Sequence, residues 1–317
     1  MGNKVYIDLL VDFAFKKIFG TDSNKALLID LLNSVFEGRK VIVDLIYNKN
    51  EHHGDNREQG TAIFDLLCTG DKGEKFLIEV QHSRLINFVK RSIFYTSRLI
   101  SEQAPKGRMK EWQYNISEVY FVAVIDQNEA EHTEHKLVSN GRYLHDVCLC
   151  YRETGEIFYD HLGYTYIDLF NFAKTLEQCM TNLDRWLYHL KHMQRMTSLP
   201  NGLKTTIFEQ LYSAARYVNL TKEEKSMYDQ DLKRKWDNAA ALAWAQEHGL
   251  ESGMRRGLER GLEQGLKQGL EQGLEKGLEQ GKLEEKLAIA RNLKSMNMDP
   301  EGIAKATGLH LEEVEKL

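Results

Sequence analysis

The chain has no CxxC spacing: its four cysteines, Cys68, Cys148, Cys150 and Cys179, lie too far apart or too close together for it, so neither a CxxC redox motif nor a disulfide framework is indicated. No apolar stretch follows the start Met as a signal peptide would require, and a reduced, cytoplasmic protein is expected. Long hydrophobic runs are missing too. The longest, residues 119–125, is far short of the ~20 residues of a membrane helix, which excludes a span. Proline is scarce, with only Pro105, Pro200 and Pro300, each in an expected connection. An excess of positive charge is also absent: the net charge of −5 argues mildly against a surface coated for DNA. What is present is 42% hydrophobic and 10% aromatic residues, the composition of a folded globular chain.

At 317 residues the chain can hold one α/β domain and a helical appendage. Residues 12–20 place aromatics and Ile at helical spacing and stop at Gly20, and a second helix is expected over 25–36. A strand over 41–47 leads into a polar loop, 48–60, where His52 and His53 are expected as loop residues. Residues 63–68 and 75–79 flank Thr69-Gly70-Asp71-Lys72-Gly73-Glu74, a turn sequence that predicts a hairpin. A helix over 84–103 and the continuously apolar strand 119–125 follow, an order that implies a right-handed βαβ crossover. Helices are then expected over 175–196, 206–217 and 221–246.

A hairpin turning about Lys72 pairs residues whose numbers sum to 144, so Asp65 faces Glu79 and Ile63 faces Gln81. Alternation puts Asp65, Glu79 and Gln81 on one face and the apolar Phe64, Leu66, Cys68, Phe76, Ile78 and Val80 on the other. Facing Cβ atoms lie ~4.5–5.5 Å apart, close enough for both carboxylates to bind one hard cation such as Mg²⁺. Such an ion polarises a phosphodiester and lowers the pKa of a bound water. Gln81 can orient that water but cannot deprotonate it. By spacing alone, the two acids can equally be polar residues on the solvent face of an edge hairpin.

The run Phe64-Asp65-Leu66-Leu67-Cys68, then Gly73 and Phe76-Leu77-Ile78-Glu79-Val80-Gln81, with residues 12–20 upstream, resembles the Rpn family of recombination-promoting nucleases and transposases over about the first 170 residues. The resemblance implies a PD-(D/E)XK nuclease core, a restriction-endonuclease-like mixed sheet flanked by helices, and endonucleolytic cleavage of DNA that depends on Mg²⁺ (or Mn²⁺). Asp65 matches the first acid of the motif and Glu79 the second, the expected metal ligands. Gln81 stands where the broad superfamily has lysine, a departure this family shares. Asp12 matches an acidic position that completes the site.

Between Arg84 and Lys110 the chain carries its basic patch. On a helical wheel Leu85, Ile86, Val89, Ile93, Thr96 and Ile100 gather on one side, and Arg84, Arg91, Tyr95 and Arg98 on the other. The three arginines, seven residues apart, are candidate phosphate contacts, and the ring of Tyr95 a candidate for packing on a sugar or base. A solvated helix face accounts for the same pattern.

From Gly249 to Gly281 glycine recurs at every fourth position. Each costs a helix ~1 kcal/mol relative to alanine, so an isolated helix should be weak. A period of four makes the glycine and leucine stripes drift, and a partner following them must wrap right-handedly. Self-association into a homo-oligomer is expected here, with a frayed helix or flexible spacer as the alternative. Downstream, helices over 283–296, 299–308 and 311–317 resemble a helix-turn-helix, but Glu312, Glu313 and Glu315 lie where phosphate contacts need Lys or Arg.

The expected organisation is therefore an α/β nuclease-like core over 1–170, a helical extension over 171–248, the repeat over 249–281 and a small helical tail over 282–317. The expected function is a metal-dependent DNA endonuclease in recombination, mobile-element or defence contexts. The competing expectation is a catalytically inactive protein-interaction module acting through its helical C-terminal half.

Overall fold

The computed structural model describes residues 4–48, 51–52, 62–63, 65–81, 87–105, 112–126 and 141–317, without the side chains of 51–52, 62–63, 81 and 246. By contact density the chain divides into one unit ending at Ala240 and a second from Ala241 to Leu317.

In the first unit the helices α1 (Asp12–Phe19) and α2 (Lys25–Val35) precede strands β1 (Leu45–Tyr47), β2 (Glu51–His52), β3 (Ala62–Ile63), β4 (Leu66–Gly70) and β5 (Lys75–Gln81). Helix α3 (Phe88–Ser101) then leads to β6 (Val119–Ile125), β7 (Leu144–Cys150) and β8 (Ile157–Asp168), and the helices α4 (Asn182–His192) and α5 (Thr206–Ala214) follow. A six-stranded mixed sheet runs in the order β1-β4-β5-β6-β8-β7, with β5, β6 and β8 mutually parallel and the remaining pairs antiparallel. The expected α/β fold with a mixed sheet flanked by helices is the one observed. Strand β6 coincides with the expected apolar run and is buried along its whole length, and β5, α3 and β6 give the parallel pair that a crossover requires.

The hairpin turns as its sequence dictates. Leu66 pairs with Ile78, Leu67 with Leu77, Cys68 with Phe76 and Thr69 with Lys75, and Gly73 takes a φ of +89° that a side chain would strain. One expected pair is not made: Ile63 pairs with Glu51 on β2, while Gln81 is in register with Ile125 on β6. The ladder to β5 ends at Leu66. His52 lies in short strand β2 rather than in a loop, and His53 falls outside the described residues.

Apolar side chains cover both faces of the sheet. Leu66, Cys68, Phe76, Ile78, Val122 and Val124 pack with α1, α2, α4 and α5 in the larger core. Leu67, Leu77, Phe121 and Ala123 pack under α3 in a smaller one. Helix α3 buries the expected side only in part: Thr96 is buried, but Ile93 is 49% exposed, and Ser92 and Leu99, outside the expected set, are buried instead. The cause is a hydroxyl match, with Ser92 Oγ 2.7 Å from the Tyr166 hydroxyl and Thr96 Oγ1 2.7 Å from that of Tyr164. Two buried phenols need partners, and that requirement sets the rotation of the helix.

Helix α6 (Lys222–Ser295) starts in the first unit and ends in the second, where α7 (Pro300–Thr307) and α8 (Leu311–Glu315) follow. Ala290, Ile303, Leu309 and Val314 form the small core of the second unit. Asp299 caps α7 by accepting from Gly302 N–H at 2.9 Å, and Gly308 ends it at φ +67°. The glycine repeat is helical, with Leu258, Leu262, Leu266, Leu270, Leu274 and Leu278 each at least 55% exposed. Among the described residues no helix is long and apolar enough to cross a membrane.

Candidate active site

Asp65 stands one residue beyond the last paired residue of β4, in the register that faces Glu79. Leaving the ladder frees its side chain to act on the neighbouring strand: Oδ2 accepts from Val80 N–H at 2.8 Å. Glu79 lies on the parallel centre of the sheet beside Ala123 and is 5% exposed. Each acid meets a cation from a different helix. Arg91 of α3 donates to Glu79 Oε2 at 2.6 Å, and Lys16 of α1 stands 3.6 Å from Asp65 Oδ1 while pairing with Asp12 Oδ1 at 2.8 Å. Asp12, Lys16, Asp65, Glu79 and Arg91 thus form one charged chain across α1, the hairpin and α3.

The environment disfavours charge on both acids. Burial raises Glu79 to about 7, against the opposing pull of Arg91 and with a further push from Asp65. Burial likewise raises Asp65 to about 6, opposed by the Val80 N–H bond and reinforced by Asp12. Burial pushes the Lys16 ammonium down, but its bond to Asp12 and the field of Asp65 outweigh this and raise it. Two carboxylates that burial keeps closer to neutral than usual, against the pull of their neighbouring cations, have capacity for more positive charge.

Hard oxygen donors on facing positions fit a small divalent ion such as Mg²⁺, which is commonly held by one or two carboxylates and completes its shell with water and phosphate oxygens. Among the described residues no cluster of three or more His, Cys, Asp or Glu groups forms a fuller cage. Asp65 and Glu79 are the candidate groups for such an ion.

Of the remaining candidates, Asp12 joins the site both through Lys16 and by acting directly on Asp65, and Gln81 closes β5 two residues beyond Glu79, its side chain undescribed. Arg91 and Tyr95 turn toward the acids rather than away from the sheet, the guanidinium 5.6 Å from the centre of the Tyr95 ring and 5.1 Å from that of Phe88. Arg98 is further along α3, 3.3 Å from Glu102 Oε1 with 13% of its side chain exposed. Arg84 lies outside the described residues. Lys16 was missed in the sequence; its one signal is the i,i+4 spacing from Asp12, which places both on one side of α1.

An α/β sheet with a buried acid on one strand and a half-buried acid at the start of its neighbour, each met by a cation, defines a protein with a candidate centre for a hard divalent ion. A family model described as PD-(D/E)XK nuclease family transposase matches residues 9–245, well over half of the 317, and the chain belongs to that family. A nuclease or transposase-like role follows at that level. No curated protein and no solved structure matches the chain.

Proposed function

We propose that the protein is a metal-dependent DNA endonuclease of the cytoplasm that hydrolyses phosphodiester bonds at Asp65 and Glu79, in recombination, mobile-element or defence contexts. The observation that carries this reading is the pair itself: the buried Glu79 and the half-buried Asp65, which stands one residue beyond the ladder in the register that faces it, both raised toward neutrality by desolvation. Placing two desolvated carboxylates side by side is unfavourable unless positive charge offsets it; Arg91 and Lys16 supply part of that charge, and both acids are still raised by desolvation.

In this reading Asp65 and Glu79 hold Mg²⁺ or Mn²⁺, as is usual for nucleases of this superfamily. Held there, such an ion would supply Lewis-acid polarisation of the phosphodiester and a lowered pKa for the attacking water. Gln81 orients the water through its amide without taking its proton, and Asp12 fixes the ammonium of Lys16. Arg84, Arg91, Tyr95 and Arg98 are the proposed contacts to DNA, Arg91 being the one that meets the acid pair.

The exposed leucine stripe of α6 supports a second activity, self-association through the repeat. The same stripe is what favours the competing reading of a silent interaction module. Calorimetric titration with Mn²⁺ separates the two. Binding to the wild type that is lost in Asp65→Asn and in Glu79→Gln supports the endonuclease, and absence of binding to the wild type contradicts it.

A further inference from the structure

Cleaving a phosphodiester places additional negative charge on the phosphoryl oxygens, and preorganised cations are the usual means of stabilising it. Gln81 is neutral and supplies none. Two cations among the described residues meet the acid pair, and they are held differently. Arg91 bonds directly to Glu79 Oε2 at 2.6 Å with 30% of its side chain exposed. Lys16 stays 3.6 Å from Asp65 Oδ1 with 36% exposed, outside hydrogen-bond distance of that acid. It pairs instead with Asp12, four residues earlier on α1, at 2.8 Å, and Asp12 also acts on Asp65.

Lys16 also opens outward. With Asp12, Lys17, Thr21 and Gln230 it lines a groove of about 560 Å³ between α1 and the start of α6. The two further carboxylates there are already engaged, Glu224 by Lys17 at 2.5 Å and Asp231 by Arg234 at 3.1 Å. One ammonium therefore faces both the acid pair and an open groove.

We propose that Lys16 is the phosphate-contacting cation of the active site, reaching the scissile phosphate of a DNA strand that enters by the groove between α1 and α6. It delivers from a helix the positive charge that Gln81 on the strand lacks. Lys16 stays protonated throughout and transfers no proton; it draws the phosphoryl oxygens toward the ion site and holds their growing charge. The inference rests on the endonuclease reading of Asp65 and Glu79.

The test is single-turnover nicking of supercoiled plasmid in Mg²⁺ by wild type, Asp65→Ala, Lys16→Met and Lys16→Arg, with Mn²⁺ affinity measured on the same preparations. Lys16→Met is expected to slow nicking about 100-fold, and Lys16→Arg to remain within about tenfold of the wild type because it keeps the charge while changing its geometry. Mn²⁺ affinity in Lys16→Met should be unchanged or tighter, since a competing cation has left Asp65. Wild-type nicking by Lys16→Met alongside an inactive Asp65→Ala overturns the inference and leaves the endonuclease reading standing. Loss of Mn²⁺ binding together with nicking in Lys16→Met also overturns it, because Lys16 then maintains the site instead of contacting phosphate. Undiminished nicking by Asp65→Ala removes the endonuclease reading itself and the inference with it.

Discussion

Arg91 on α3 donates to Glu79 on β5 across a distance of 2.6 Å, so the helix after the hairpin is tied to the hairpin's second acid. Glu79 is buried and Arg91 is not, and the loss of one partner is felt unequally. Arg91→Met leaves a buried carboxylate without this donor and should lower stability by about 1–3 kcal/mol in urea unfolding. The double variant Arg91→Met with Glu79→Gln should recover most of that loss, because no charge is left stranded. Additive losses would contradict the pairing.

The hydroxyl match beneath α3 makes a second prediction. Ser92→Ala removes the partner of the Tyr166 hydroxyl, a residue 3% exposed, and should cost about 1–3 kcal/mol. Tyr166→Phe should cost less, since Ser92 Oγ still donates to Val89 O at 2.8 Å. The double variant should be no worse than Ser92→Ala alone, which urea unfolding of all three checks.

These two contacts also show what was legible in the sequence. The hairpin register could be counted because Leu66, Cys68, Phe76 and Ile78 alternate as apolar residues on one face, and β6 because every residue in it is apolar or aromatic. The rotation of α3 could be counted only in part, because the apolar pattern takes in Thr96 but passes over Ser92, and the two hydroxyls decide it together. Strands β7 and β8 escaped notice because their exposed halves mix His, Asp and Tyr with Val and Leu, which blurs the alternation. In the candidate site Asp65, Glu79 and Asp12 were named from the sequence. Lys16 was not, since a lysine on an amphipathic helix reads as solvated surface until a neighbouring element brings an acid to it.

Acid stability should depend on His189, which is fully buried and lowered by that burial to about 3. As pH falls, the unfolded chain takes up this proton first. The contribution of neutral His189 is whole above the ordinary histidine value of 6.5 and is lost between there and about 3, by up to about 1.4 kcal/mol per pH unit. Asp65 and Glu79 act in the opposite sense: their raised values favour the folded state at low pH, and that contribution is lost as pH rises through about 6 and 7. Comparing the wild type with His189→Gln isolates the histidine. Below pH 6.5 the variant should show the shallower decline in stability, and parallel curves would contradict the assignment.

The repeat carries nine glycines at positions 249–281, an unfavourable load of about 1 kcal/mol each relative to alanine. Association that covers the leucine stripe is the natural compensation. Light scattering after size exclusion should show the full chain as an oligomer and a chain truncated before Gly249 as a monomer. A full chain that is itself a monomer contradicts self-association through this segment.

The most direct test of the endonuclease is plasmid nicking with Mg²⁺ or with EDTA, comparing the wild type with Asp65→Asn and Glu79→Gln. The predicted result is Mg²⁺-dependent nicking by the wild type that EDTA abolishes, with each variant reduced by at least about 100-fold. Nicking that survives EDTA, or that is undiminished in both variants, would contradict it.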